Sequence, residues 1–296
     1  MRGRQIVMAS FAMLFIAMAA LPRAARAQKK ICTMNADGTD IKTLVDMPGY
    51  YWEGSPFWSH DGKRIAFDAT VDERFEHDHI FVVDAEGGEP HDLGSGSQPS
   101  WSADDKQLCF FTLAGNSDDE KVGVYVMNAD GKARQFLTGG TKARWSNDGG
   151  RIAYLNRNEG TNTIWVYDIV MGERKPILKD KFVNLMSPPV WSPDGKQICF
   201  VARRNQGDAP ELCLMDVDGD GKATTLVKDQ ISNVFPCWSP GDKILFAMGD
   251  VGQSAQPCWL DPAKPAAPTP IHCEILNFWD PGYSPDGKRI VFRCDR

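Results

Sequence analysis

The densest run of titratable side chains is Glu76-His77-Asp78-His79. If this segment enters a strand, His77 and His79 point to one face, because side chains alternate along an extended backbone. Two imidazoles at that spacing suit a transition metal. The plainer reading is a charged loop with histidines at a strand start. Asp216-Val217-Asp218-Gly219-Asp220-Gly221 reproduces half of a calcium loop, with Asp216, Asp218 and Asp220 as oxygen donors. Its twelfth position is Val227, where a bidentate Glu is expected, so a lengthened turn between strands is the better reading. Covalent chemistry has little to draw on. There is no G-x-S-x-G elbow, Gly94-Ser95-Gly96-Ser97 reads as a flexible loop, and His60 reads as a solvent-facing turn residue. No catalytic residue is expected.

The elements that position these residues come from a repeat. Trp58-Ser59-His60-Asp61-Gly62-Lys63-Arg64-Ile65-Ala66-Phe67 recurs from Trp101, Trp145, Trp191 and Trp238, and from Tyr283 in a sixth copy. The steps are 43, 44, 46, 47 and 45 residues. Each copy is followed by an alternating apolar run ending in Asp or Asn, such as Ile80–Asp84 and Val124–Asn128. Short β-branched and aromatic runs between Asp-Gly and Pro-Gly turns predict strands, and no stretch of the mature protein shows a helical period. Four strands per unit of this length predict an all-β, six-bladed β-propeller over residues 28–296. In the motif, Trp closes the first strand and offers an apolar face to the neighbouring blade. Ser-x-Asp-Gly makes a tight turn, and Lys or Arg opens the second strand. The sequence stops after a second strand near Cys294, and its mature part begins with an orphan third strand at Ile31. The N-terminal strands are therefore expected to complete the last blade and close the ring.

The W-S-P-D-G-K copy at Trp191–Lys196 and the M-N-A-D-G turns at Met34–Gly38 and Met127–Gly131 resemble the six-bladed propeller of the TolB family of bacterial exported proteins. The resemblance covers roughly residues 29–296. The α/β domain that precedes the propeller in TolB is not expected, since no room is left for it between Ala27 and the first strand, nor is the hydrolase domain that follows such a propeller in prolyl-oligopeptidase relatives. Oligogalacturonate lyases look similar in fold and bind a metal through channel histidines. This sequence shows no clear further His to complete such a site.

Eight cysteines lie in the mature part. Cys32 and Cys294 fall on neighbouring strands of the closing blade, and a disulfide there would staple the ring. Cys199 and Cys213 occupy the corresponding strands of the fourth blade, but alternation places the two motif-aligned positions on opposite sides, so both pairs cannot be good bridges. The pairing of Cys237, Cys258 and Cys273 is open.

The sequence has 33 Lys and Arg against 39 Asp and Glu, and four of the arginines lie within residues 1–27. The remainder carries a net charge of −10, which disfavours nucleic acid as a main partner. Arg2 and Arg4, the apolar run Ile6–Leu21 and Ala25-Arg26-Ala27 read as a signal peptide over residues 1–27. The rival reading is a membrane anchor, for which the run is short. After cleavage no membrane span is expected, and the location is periplasmic or secreted.

Loops joining strands two to three and four to one emerge on one face around the channel. That face collects Tyr50, Tyr51, Trp52, Phe278 and Trp279 together with Arg203 and Arg204, residue types suited to binding peptide segments or sugar rings. Inter-blade packing of the same rings is the alternative. The expectation is a monomeric, non-enzymatic module that binds an envelope or secreted protein, or a polysaccharide. No cofactor is expected, with a divalent metal such as calcium as the alternative. A metal-assisted polysaccharide lyase or hydrolase on the same face is the second function class.

Overall fold

The computed structural model describes residues 29–72, 77–113, 121–156, 163–228, 235–249, 255–264, 267–275 and 277–295. The signal read over residues 1–27, and Glu76, lie outside the described residues. Among these residues there is no helix, and six separate antiparallel sheets form six blades.

Strands β1 (Lys29–Asn35) and β2 (Lys42–Val45) come first in sequence but belong to the last blade. The first blade is β3 (Trp52–Trp58), β4 (Arg64–Thr70), β5 (Asp78–Asp84) and β6 (His91–Ser95). The second is β7 (Ser97–Trp101), β8 (Gln107–Thr112), β9 (Gly123–Asn128) and β10 (Gln135–Thr138). The third is β11 (Thr141–Trp145), β12 (Arg151–Asn156), β13 (Thr163–Asp168) and β14 (Arg174–Pro176). In the fourth, the inner strand is split into β15 (Asn184–Leu185) and β16 (Val190–Trp191), followed by β17 (Gln197–Arg203), β18 (Glu211–Asp216) and β19 (Thr224–Lys228). The split falls at Pro188-Pro189, which have no N–H for the ladder. Ser187 Oγ takes over there and accepts the Val201 N–H at 2.8 Å. The fifth blade is β20 (Cys237–Trp238), β21 (Ile244–Met248), β22 (Gln256–Leu260) and β23 (Thr269–Pro270), and the sixth opens with β24 (Phe278–Tyr283) and β25 (Arg289–Asp295). The order β2-β1-β25-β24 completes it, with Lys30 opposite Cys294, Cys32 opposite Phe292 and Met34 opposite Ile290. The first and last strands therefore share one sheet.

Alternation along each strand divides its side chains between two neighbours. Leu108 and Phe110 pack with Ala66 and Ile80 of the first blade, whereas Cys109 between them packs with Trp145 and Tyr154 of the third. Six apolar clusters result, one at each blade–blade contact, and the seam cluster joins Ile31 and Val291 to Trp58 and Phe67. Full burial of a side chain such as Phe110 contributes roughly 1.5–3 kcal/mol.

The repeated motif fixes both turn and ring. Ser59 Oγ donates to Asp61 Oδ1 at 2.6 Å and accepts the Arg64 N–H at 2.9 Å, and Ser102, Ser146, Ser192 and Ser284 repeat the pattern. The turn requires a positive φ, supplied by Gly62 (φ 70°), and in the second copy by Asp105 (φ 56°). The motif tryptophans do more than offer a flat face. Trp101, Trp191 and Trp238 donate their indole N–H to Phe57, Arg144 and Val190 of the preceding blade. The residue after the motif Lys was unremarkable in sequence, yet Arg64, Arg151 and Arg289 lay their guanidinium groups 4.4–4.8 Å from the ring centroids of Trp101, Trp191 and Trp58 on the next blade. Two readings are corrected here. Gly94–Ser97 is not a flexible loop: Gly94 and Ser95 end β6, Ser97 starts β7, and a Cβ on Gly96 would lie 2.6 Å from Phe110. His60 is only partly exposed, because Asp105 of the next blade accepts its backbone N–H at 2.7 Å and lies 3.1 Å from its Nδ1.

Candidate binding site

The inner strands β3, β7, β11, β16, β20 and β24 surround the central channel. Three residues before the motif aromatic, Ser55, Gln98, Lys142 and Asp280 all adopt positive φ (48–55°). Each sits within a register shift between the first and second strands of its blade. A bulge of this kind kinks the strand and re-aims its side chains. The same device recurs in four blades and escaped the sequence reading, although the slot is at a constant distance from each motif aromatic.

Below the bulges lies a cavity of about 330 Å³. It is lined by the second halves of the inner strands and the first residues of the turns that follow, from Ser55–His60 of the first blade to Asp280–Pro285 of the sixth. Its wall includes seven prolines and the rings of Phe57, Trp58, Trp191, Phe235, Trp238 and Tyr283. The formally charged residues of the lining are Arg144 and Asp280. Arg144 is 7% exposed. Its Nη1 donates to the carbonyls of Gln98 (2.9 Å) and Ala143 (3.0 Å), and its guanidinium lies 5.6 Å from the Phe57 ring.

Behind this wall is a buried acidic cluster. Asp68 Oδ2 accepts the Gln98 N–H at 3.0 Å, and Asp78 Oδ2 accepts the Ser97 hydroxyl at 2.5 Å. Burial, reinforced by the charges of Asp78 and Asp280, pushes the Asp68 carboxyl up to about 7. Burial raises Asp78 as well. It also pushes Glu53 up to about 7, although Glu53 accepts the Met47 N–H at 2.7 Å.

The residues chosen from sequence are distributed differently from the expectation. None of the seven proposed ligand residues lines this cavity, which lies toward the turn side of the channel, away from the loop-bearing face. Phe278 is fully buried against Phe292 (5.0 Å between centroids), so it cannot meet a ligand; its place in the alternation turns it into the blade interface. Tyr50 is half-buried, edge-on to Phe81 at 5.6 Å, and Tyr51 is half-buried with its N–H on Thr70. Trp52 and Trp279 do come together. They flank the Arg293 guanidinium at 3.7 and 4.7 Å, Lys29 sits 4.2 Å from Trp279, and Arg293 Nε lies 3.5 Å from Asp280 Oδ2. These two rings therefore clasp the sixth blade to the first. Arg204 pairs with the buried Glu211 at 3.1 Å and stacks over Phe182, while Arg203 is half-buried at the end of β17. Three other loops joining strands two to three or four to one, over 115–121, 157–161 and 230–234, lie wholly or almost wholly outside the described residues.

The metal candidates do not converge. His77 Nδ1 meets Asp72 at 2.5 Å and His79 Nδ1 meets Asp92 at 2.9 Å, two separate carboxylates. Asp216 accepts from the Gln197 amide, Asp218 faces Arg151 and Lys175, and Asp220 takes the Lys222 N–H and pairs with its ammonium group. Among the described residues no three His, Cys, Asp or Glu side chains are grouped to hold a metal ion. Cys32 and Cys294 are joined by a disulfide with Cα atoms 6.3 Å apart, set diagonally across β1 and β25. Cys199 faces the fifth blade and Cys213 the third, and both thiols are pushed up by burial.

Comparison with known proteins agrees with this architecture. The protein is 30% identical over 152 residues to the Tol-Pal system protein TolB of Francisella tularensis subsp. holarctica, a match that takes in 50% of this sequence and 33% of that protein. It is 23% identical over 196 residues to the uncharacterized peptidase YuxL of Bacillus subtilis, a match over 52% of this sequence and 29% of the relative. The matched region thus spans about a third of the length of these relatives. A structure from Agrobacterium tumefaciens described as a putative TolB superposes with a TM-score of 0.70 at 18% identity, over 91% of this protein and 99% of that one. The family model of the TolB beta propeller domain matches residues 112–296. With six blades, the motif turns and this match together, the protein belongs to the TolB beta propeller domain family.

Proposed function

We propose that the protein is an exported, non-enzymatic binding module of the cell envelope, periplasmic or secreted, which takes an extended apolar segment of a partner protein into its channel. The observation that carries this reading is the cavity itself, concave, walled by proline and aromatic side chains with polar turn residues such as His60, Asn147 and Ser239 among its lining. An apolar centre with a polar rim is the anatomy of a protein-binding patch. The kinship with a Tol-Pal protein and the export signal read in the sequence support the envelope setting. Among the described residues no helix is long and apolar enough to cross a membrane. A monomer suffices, because the ring closes on itself.

A photo-reactive phenylalanine at position 235, in the cavity wall, is the test. It should cross-link an envelope protein that the same group at Val170, an outer position 85% exposed, does not capture. Equal capture from both positions, or none from position 235, would sink the proposal.

A further inference from the structure

Among the described residues of the cavity lining, Arg144 carries the only formal positive charge. It is more than nine-tenths buried, yet among the described residues it makes no ion pair. Its two hydrogen bonds both leave through Nη1, to neutral carbonyls. Nε and Nη2 make no hydrogen bond among the described residues. Asp280 of the same lining places its Oδ2 3.5 Å from Arg293 Nε and makes no ion pair with Arg144. Asp68 and Asp280 act on it only from beyond ion-pair distance, and a ligand anion in direct contact would offset more of the cost of burying the guanidinium. Guanidinium groups present a planar fork that matches a carboxylate in particular.

Resting on the binding-module reading, we infer that Arg144 forms a carboxylate subsite in the channel cavity, which reads an acidic group on an otherwise apolar or proline-containing peptide segment. A monoanion is favoured over a phosphate dianion. One cation answers it, and Asp280 in the same lining opposes a second negative charge. The apolar wall holds the residues that flank the acid. An Asp or Glu side chain and the free C-terminus of a peptide both present this group.

The subsite is tested by calorimetric titration of the whole protein with matched synthetic peptides. One pair is N-acetyl-Phe-Pro-Glu-Phe-amide and its Gln counterpart. The other is N-acetyl-Phe-Pro-Phe ending in a free carboxylate or in an amide. At least one acid should bind about tenfold more tightly than its neutral twin, as expected for a charge-assisted hydrogen bond. Whichever pair shows the preference identifies the source of the carboxylate. R144Q should erase the preference while leaving neutral peptides bound, and R144K should retain part of it. The wild-type comparison stands even if R144Q does not fold. Equal binding of acid and neutral forms, or a preference that survives in R144Q, would overturn the subsite and leave the binding module intact. Absence of binding by every peptide would overturn both. Tighter binding of trigalacturonate than of either acidic peptide would overturn the peptide assignment.

Discussion

Replacing Asp68 by Asn should stabilise the protein in alkaline solution and do so less in acid. Asp68 is 6% exposed, one oxygen holds the Gln98 N–H, and the other, Oδ1, is buried without a partner. Its carboxyl is raised from 3.8 to about 7 in the folded protein, first by burial and then by Asp78. The folded state therefore keeps a proton that the unfolded polypeptide has released. In this window stability falls as pH rises, and the penalty is complete above about 7. At 1.36 kcal/mol per pKa unit, the shift corresponds to on the order of 4 kcal/mol at pH 8. Asn keeps the acceptor for Gln98 and carries no charge, so it removes this share of the slope. Urea unfolding of both proteins at about pH 5 and about pH 8, without reductant, measures the difference. The variant should exceed the wild type by about 1–2 kcal/mol at the lower pH and by about 4 kcal/mol at the higher one. A gap of the same size at both values would refute the idea that charge burial governs this site.

Opening the Cys32–Cys294 disulfide with Cys32→Ser should lower stability by on the order of 5–6 kcal/mol in the loop-entropy model, given a separation of 262 residues. An unaltered thermal transition without reductant would show that the bond does not constrain the ring. Ser192→Ala should cost about 1–2 kcal/mol, since its buried hydroxyl bonds both Asp194 and the Gln197 N–H. Chemical denaturation reads that cost, and a change under a few tenths would mean that backbone bonds alone hold the motif turn.

The blades were legible in the sequence because each repeats the same turn chemistry and the same two-residue alternation. The last blade was legible because the missing half at one end matched the surplus half at the other. The binding residues were harder. Trp52 and Trp279 look like anchors in a loop, but the guanidinium that separates them comes from Arg293, on the neighbouring strand of the closing blade. Phe278 sits next to Trp279, and only the phase of the strand decides which of the two faces the interior. Arg144 occupies an ordinary strand position, and that no carboxylate comes within ion-pair distance of it depends on where Asp68 and Asp280 of other blades form their contacts. Such facts belong to the assembled ring, not to any local window.

The bulge slot has an evolutionary corollary. In every copy the residue three before the motif aromatic can vary while the scaffold stays fixed: Ser55, Gln98, Lys142, Pro188, Phe235 and Asp280 fill it in turn. Four of these six border the cavity. The lumen thus behaves like a four-character lock whose characters can be exchanged singly, so relatives with the same skeleton can acquire new tastes through a handful of codons.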